Sequence, residues 1–508
     1  MLEGLSQLGS AFAGFITPGT LFNVLWATFL GIVIGALPGL TATMGVALMT
    51  TLTFTMGANQ AILVLVCVYV GAIYGGSRSA ILLNIPGTPA SACSTLDGFP
   101  LARQGLAGRA MGISTSGSWL GTFFGIICVA LLTPLLSEAA LSFQSYEFFW
   151  IGVFGIVIAG TLAGGDPLKG YIAGFIGLWI ATIGQEPHYN YHRFTYGWAD
   201  LTGGIGLLPA LVGVFGVAEV LTAMRGPAYR VTSRAVDSIL PRLADVWQYK
   251  RTIFRSGAIG TFIGVLPGLG EDTAAWSSYA AARRASKEKE KFGKGSVEGL
   301  MAAETGESAC VPGAIIPVLT LAVPGSAPAA ALMAAIMIHD FKPGPMLMIE
   351  TPQLFYQIVA MLVIADMAKL VFGLTLVRPL LWILLVPRER LMPIIFVLCT
   401  VGAFAITQRV FDIYVMLFFG LVGFVLRELK FPMPPLILGL VLGELLEQNL
   451  TRGLVISSGD VAPFFTRPVS GVLAAITIFA ILWSIPPAQR KIKAGVRGLF
   501  RRGRAEAG

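Results

Sequence analysis

From Gly4 to Ser77 the chain carries no charged residue, and that run decides most of what it can fold into. Soluble domains hold roughly a quarter charged residues. Here only 12% of 508 residues are charged, 55% are hydrophobic, and the mean hydropathy is +0.77. Such a chain satisfies its backbone inside a bilayer, as helices. The expected fold is an all-α polytopic membrane protein with about 10–12 spans, since each span takes about 20 residues. The net charge of +8 sits in a few short connections and the tail Arg490–Arg504. That is how cytoplasmic loops look, so the expected surroundings are lipid headgroups, with no nucleic acid. Cys67, Cys93, Cys128, Cys310 and Cys399 show no paired spacing and read as small apolar residues rather than metal ligands. Glu3 and the lack of a basic start argue against a cleaved signal peptide.

Apolar segments recur at 20–37, 42–56, 60–84, 110–136, 148–164, 170–184 and 204–224. They resume at 257–282, 309–338, 353–376, 379–386, 391–408, 411–426, 434–446 and 469–486. The most polar stretch, 225–255, carries Arg225, Arg230, Arg234, Arg242, Lys250, Arg251 and Arg255 and reads as a basic cytoplasmic linker. The organisation expected is a first membrane repeat over 1–224, the linker, a second repeat over 256–450, and a terminal helix with a basic tail over 451–508. Residues 185–198, "QEPHYNYHRFTYGW", are aromatic enough for an interfacial loop. His188 and His192 lie there without a helix or carboxylates to make a metal site.

Two phrases repeat. "GALPGLT" at 35–41 returns as "GVLPGLG" at 264–270, and "LLNIPGTPASA" at 82–92 as "TLAVPGSAPAA" at 320–330. Internal duplication is common in secondary transporters. Residues 257–282 have basic sequence on both sides, so a helical hairpin turning at Pro267-Gly268 keeps both flanks on one face. Residues 312–323 and 327–338 read as a second pair of short arms about Pro324-Gly325-Ser326. The flanks of Pro38 carry no Lys or Arg, and this contrast predicts two inverted repeats bearing re-entrant hairpins.

A Pro-Gly break ends one half-helix and begins another, exposing N–H groups that attract anions and carbonyls that suit cations. The expected substrate-binding residues are Pro38, Gly39, Thr41, Ser77, Asn84, Pro86, Gly87, Thr88, Pro267, Gly268, Gly270, Pro324, Gly325 and Ser326. Ionisable groups inside a membrane are costly and usually functional. Glu271, Asp272, Glu304 and Glu307 are therefore candidates for a coupling cation, H+ or Na+, although Glu271 and Asp272 could instead simply cap a helix. Asp366 and Lys369 read as an internal ion pair. Arg78 would suit an acidic substrate or reach an interface.

Over nearly its whole length the chain resembles the large membrane subunit of tripartite tricarboxylate transporters, the TctA family. The motifs are "YGGSRSAILLNIPGTPASACSTLDGFPLARQG" at 74–105, "GVLPGLGEDTAAWSSYAAARRASKEKEKFGKG" at 264–295, "GAIIPVLTLAVPGSAPAAAL" at 313–332 and "LGLVLGELLEQNLTRGL" at 438–454. The resemblance implies a carrier of the bacterial inner membrane, driven by an ion gradient. It implies a small carboxylate such as citrate, a TctC-like periplasmic solute-binding protein and a TctB-like four-helix membrane subunit. Two departures stand out. Glu307 and Ser308 occupy positions where the family usually has paired asparagines, and Glu444 stands where it has proline.

Broken helices could also line an anion channel, but paired polar breaks favour an occluded site worked by alternating access. "GLGED" superficially resembles the Gly-x-Gly-Asp phrase of intramembrane aspartyl proteases, yet Glu271 interrupts it. With no nucleophile–base set within a membrane segment, no enzyme is expected.

Overall fold

The computed structural model describes residues 2–37, 39–162, 166–186, 190–225, 243–376, 379 and 388–484. Pro38, His188, most of the linker, most of segment 379–386 and the basic tail lie outside the described residues. The protein is helical, as its composition demands. Its one described sheet is the two-stranded antiparallel pair Gly184–Gln185 with His192–Arg193, within the aromatic loop.

By compactness the chain divides into two discontinuous units, Met1–Leu141 with Ile205–Leu429, and Ser142–Gly204 with Lys430–Gly508. In the first are α1 (Leu2–Phe15), α2 (Pro18–Ala36), α3 (Ala42–Thr53), α4 (Ala58–Leu83), α5 (Thr95–Arg103) and α6 (Ala107–Leu141). The second unit opens with α7 (Ser145–Leu162) and α8 (Pro167–Ala181). Returning to the first, α9 (Leu207–Arg225) contains a π-helical turn at Val212–Val217. Then come α10 (Lys250–Val265), α11 (Gly270–Ala285), α12 (Val297–Leu321), α13 (Ala327–Ile338), α14 (Pro352–Thr375), α15 (Arg388–Thr407) and α16 (Val410–Glu428). The second unit closes with α17 (Met433–Ile456) and α18 (Pro468–Ser484). Among the described residues six helices, α2, α4, α6, α9, α14 and α16, are long and apolar enough to cross a bilayer. Shorter apolar helices such as α3 and α13, 12 residues each, are too short to span alone.

Small residues set the packing. In lipid, helices gain little from hydrophobic burial and rely on close backbone approach. Gly31 and Gly35 of α2 meet Val68 and Ala72 of α4, while Gly71 and Gly75 of α4 meet Thr28 and Ile32 of α2. The same device recurs where Gly260 and Gly264 of α10 meet Gly306 and Cys310 of α12. On another side of α12, Gly117, Gly121 and Gly125 of α6 bring α6 against Met301, Thr305 and Ala309. Helix α12 is thereby enclosed, and nearly all its residues are buried.

One expected element differs. Residues 312–323 are not a short arm but the end of the single 25-residue helix α12, which continues through Pro312 and Pro317. A proline inside a helix leaves the carbonyl four residues back without its donor. For Pro312 that carbonyl belongs to Ser308, and it shares the one Thr122 hydroxyl proton, at 3.4 Å, with Ser118 O at 3.1 Å. The neighbouring helix thus supplies part of the missing hydrogen bond.

Candidate functional site

The four breaks all fall in the first unit and form two matching pairs. Helix α2 ends at Leu37 and α10 at Leu266, each capping N–H reaching back to the carbonyl of Val33 or Ile263. Gly39 and Gly268 follow at φ 98° and 75°, a left-handed region where a side chain would be strained. Thr41 then caps α3 through its hydroxyl, accepting from Met44 N at 3.2 Å. In the second pair, α4 ends on left-handed Asn84 and α12 on left-handed Ala322. The Gly87 N–H donates to Gly76 O at 3.2 Å, and the Gly325 N–H to Ala314 O at 3.4 Å. A Cβ on Gly87 would fall on the Gly35 carbonyl oxygen, and one on Gly325 on that of Gly264. Each PG[TS] turn therefore lies against the helix that leads into the LPGL break of its own half.

The hydroxyls at these turns are largely engaged. Thr88 and Ser91 bond each other's backbone, Ser91 Oγ donating to Thr88 O at 2.8 Å. Ser326 caps α13 through Ala329 N at 3.4 Å. Asn84 and Pro86 are exposed, whereas Pro267, Gly268, Gly270, Pro324 and Gly325 are buried. Ser77 is fully buried and its hydroxyl has no hydrogen-bond partner.

The carboxylates lie around α12. Glu271, in the first turn of α11, accepts a hydrogen bond from the buried Tyr69 hydroxyl of α4, and Tyr69 also pairs with Ser326 Oγ at 2.8 Å. One hydroxyl thus ties the first-half helix α4 to both breaks of the second half. Glu271 is buried, while Asp272 beside it is half-buried. Both carboxylates lie in the first turn of α11, at the positive end of its dipole. Glu304 accepts from Ser94 Oγ at 2.6 Å. Glu307 is buried, and neither of its oxygens has a hydrogen-bond partner among the described residues. Lys369 pairs with Asp366 at 2.8 Å, both fully buried, and donates to Thr122 Oγ1 at 2.7 Å.

Arg78 does not reach an interface. It is fully buried, stacks on Tyr74 at 4.1 Å, and donates to Ser114 Oγ, Thr115 Oγ1 and Met111 O of α6. Its Nε has no acceptor, and it forms none of the ion pairs among the described residues. Its guanidinium is thus buried with only neutral partners among the described residues.

The family model described as "Tripartite tricarboxylate transporter TctA family" matches residues 21–438. The chain belongs to the TctA family. A protein of Agrobacterium vitis described as an uncharacterized 52.8 kDa protein in the TAR-I ttuC' 3' region is 33% identical over 494 residues. That alignment covers 96% of this chain and 98% of the relative. A second protein of that organism, described as uncharacterized in the TAR-II ttuC' 3' region, is 32% identical over 231 residues, 46% of this chain and 96% of the relative. No solved structure matches. Membership makes the chain a multi-pass large subunit of a tripartite tricarboxylate-type transporter.

Of the departures from the TctA pattern, Ser308 pairs with Ser118 Oγ at 2.7 Å, and Glu307 beside it pairs with nothing. Glu444 is exposed on α17 in the second unit, accepting from Gln448 at 3.0 Å. Sequence reasoning passed over Tyr69, Tyr74, Ser94 and Ser114. Tyr69 lies in "VLVCVYVGAIYGG", where an aromatic residue reads as core; its signal is a hydroxyl in a segment with few other polar groups. Tyr69→Phe is expected to cost about 1–2 kcal/mol of stability, one net buried hydrogen bond or slightly more. Its transport rate should fall further than that stability loss accounts for. Thermal unfolding in detergent alongside uptake at matched surface level measures both, and an uptake equal to wild type removes the bridge from the mechanism.

Proposed function

We propose that this chain is the transport subunit of an ion-gradient-driven secondary transporter importing a small carboxylate across the bacterial inner membrane. The substrate is a tricarboxylate such as citrate, or a related di- or monocarboxylate. A TctC-like periplasmic protein delivers it, and a TctB-like four-helix subunit completes the membrane complex. The observation that carries this reading is Arg78, a buried cation with no carboxylate partner on the helix that leads into the Asn84–Thr88 break.

The substrate carboxylate meets Arg78, with the free Ser77 hydroxyl as an additional donor. Glu271, bridged through Tyr69 to Ser326, takes the coupling cation, H+ or Na+, with Asp272 and Glu304 nearby in charge if not in contact. Occupation of both sites permits the change of access. The four Pro-Gly breaks are its hinges, because they are where helices end without continuous backbone bonding. The two halves are taken as inverted repeats, which gives both membrane faces equivalent gates.

Reconstitution of the complete transporter in proteoliposomes tests this reading. Uptake of labelled citrate, malate and a monocarboxylate should saturate for at least one of them and follow an imposed proton or sodium gradient. Uptake that rises linearly with concentration and persists without a gradient would instead make the broken helices a channel. Arg78→Lys keeps the charge but loses the planar fork, and should raise KM by about tenfold, the worth of one charge-assisted bond. An unchanged KM removes Arg78 from the substrate site.

A further inference from the structure

The first unit holds a charge imbalance that no described contact relieves. Its buried ionisable groups about α12 are two cations, Arg78 and Lys369, and five carboxyls, Asp97, Glu271, Glu304, Glu307 and Asp366. Asp366 is matched by Lys369, Glu271 by Tyr69, Glu304 by Ser94, and Asp97 by the Tyr279 hydroxyl and the N–H groups of Gly293, Gly295 and Ser296. Among these carboxyls Glu307 has neither a hydrogen bond nor an ion pair, whereas Asp366 has Lys369 at 2.8 Å, and Arg78 is the cation with no carboxylate. Residual charge in a membrane interior is expensive, so these two groups must answer each other or be neutralised separately.

We propose that Glu307 and Arg78 form a proton-linked pair at the anion site, which makes transport by this chain proton-coupled. This rests on the reading of Arg78 as the substrate's cation. With the site empty, ionised Glu307 balances Arg78 across the space between them. A carboxylate arriving at Arg78 takes over that balance, and Glu307 binds one proton from water, its carboxylate becoming a carboxylic acid. One negative charge and one proton enter together, and the net charge of the site is unchanged. Release reverses both steps.

The other groups facing Glu307 favour this exchange. Glu304 lies one helical turn away on α12, and Glu271 and Asp272 at the start of α11 and Arg78 on α4 are within electrostatic reach of it. Lys369 of α14 is within electrostatic reach but is committed to Asp366. The thiols of Cys93 and Cys310 complete the titratable surroundings. Three carboxyls against one free cation mean that losing Arg78 to a substrate leaves Glu307 among negative neighbours, where a proton is the cheapest neutraliser. A metal cation needs a shell of several oxygens, whereas a proton needs one, and Glu307 offers its own oxygens with no hydroxyl or carbonyl in hydrogen-bond reach.

Infrared spectroscopy of the full chain in lipid nanodiscs, following the protonated carboxyl stretch against pH, tests the pair without a known substrate. Wild type should show a titrating buried-carboxyl signal that Glu307→Asn lacks; that variant restores the residue type usual in the family and should fold. Arg78→Gln should enlarge the signal by about threefold or more at a fixed intermediate pH. Saturating citrate, used as the probe, should do the same to wild type. A signal unchanged in Glu307→Asn overturns the proposal, and so does citrate binding, measured by calorimetry, that leaves the signal unmoved. If citrate fails to bind, the substrate class is wrong, and the Arg78→Gln comparison still decides the pair: an equal signal in that variant overturns it. Should Arg78→Gln fail to fold, the wild-type titration against Glu307→Asn carries the decision, and a wild type with no titrating signal sinks it.

Discussion

Gly325→Ala is expected to remove most folded protein from the membrane, although it adds one methyl group. The added Cβ would sit 1.9 Å from the carbonyl oxygen of Gly264 and 2.8 Å from Ala314 Cα. Both obstacles are backbone, so no rotamer change relieves the clash, and α10 or α12 must shift. Overpacking of this rigid kind costs about 3 kcal/mol or more. Gly87→Ala should behave alike in the first half, where the Cβ meets the Gly35 carbonyl and lies 2.8 Å from Gly76 Cα. Gly105 also has a positive φ, 84°, but has nothing within reach of a Cβ, so Gly105→Ala is the control for mild backbone strain alone. Thermal unfolding and monodisperse yield in detergent measure all three. Equal melting of Gly325→Ala and Gly105→Ala would show that the turn is not held against α10 as described.

The breaks were legible in sequence because their causes are local. Proline removes a helix hydrogen-bond donor, and the glycine that follows it tolerates positive φ, so 37–41 and 266–269 could be marked from seven residues each. The continuous passage of α12 through Pro312 and Pro317 could not be marked the same way. What partly satisfies the Ser308 carbonyl is Thr122, on a helix remote in sequence. Local signals say where a backbone bond is lost, but only tertiary packing says whether a neighbour replaces it.

The site shows the same division. Glu271 and Ser326 stood out by type and by the phrases around them, yet nothing in sequence said that one tyrosine joins them. Tyr69 lies more than two hundred residues from each. Thr41, Thr88 and Ser326 stood out as hydroxyls, yet their oxygens cap or close their own turns. Near a helix start that is the commonest use of such a residue. Arg78 had two readings of equal standing until burial removed one. A lone arginine among apolar residues looks the same in sequence whether its helix lies at the rim of a bundle or inside it.

The buried pair Asp366–Lys369 allows a second large effect to be predicted with opposite outcomes for related variants. Lys369→Met leaves Asp366 fully buried without its cation, and breaking such a pair from one side costs about 3–5 kcal/mol. Asp366→Leu alone should be similarly harmful, because Lys369 would keep only Thr122 Oγ1 and Ser118 O as neutral partners. The double variant removes both charges together. The Thr122 hydroxyl still donates to Ser118 O at 3.1 Å, so little is left unsatisfied on α6. Its stability should return to within about 1 kcal/mol of wild type or exceed it. A double-mutant cycle by thermal unfolding in lipid nanodiscs reads the coupling directly. Transport then separates structure from function. If the pair serves only to satisfy its own charges, the stable double variant keeps gradient-driven uptake. If it loses gradient dependence while remaining folded, the pair belongs to the coupling path, and the assignment of that path to Glu271 and Glu307 alone fails.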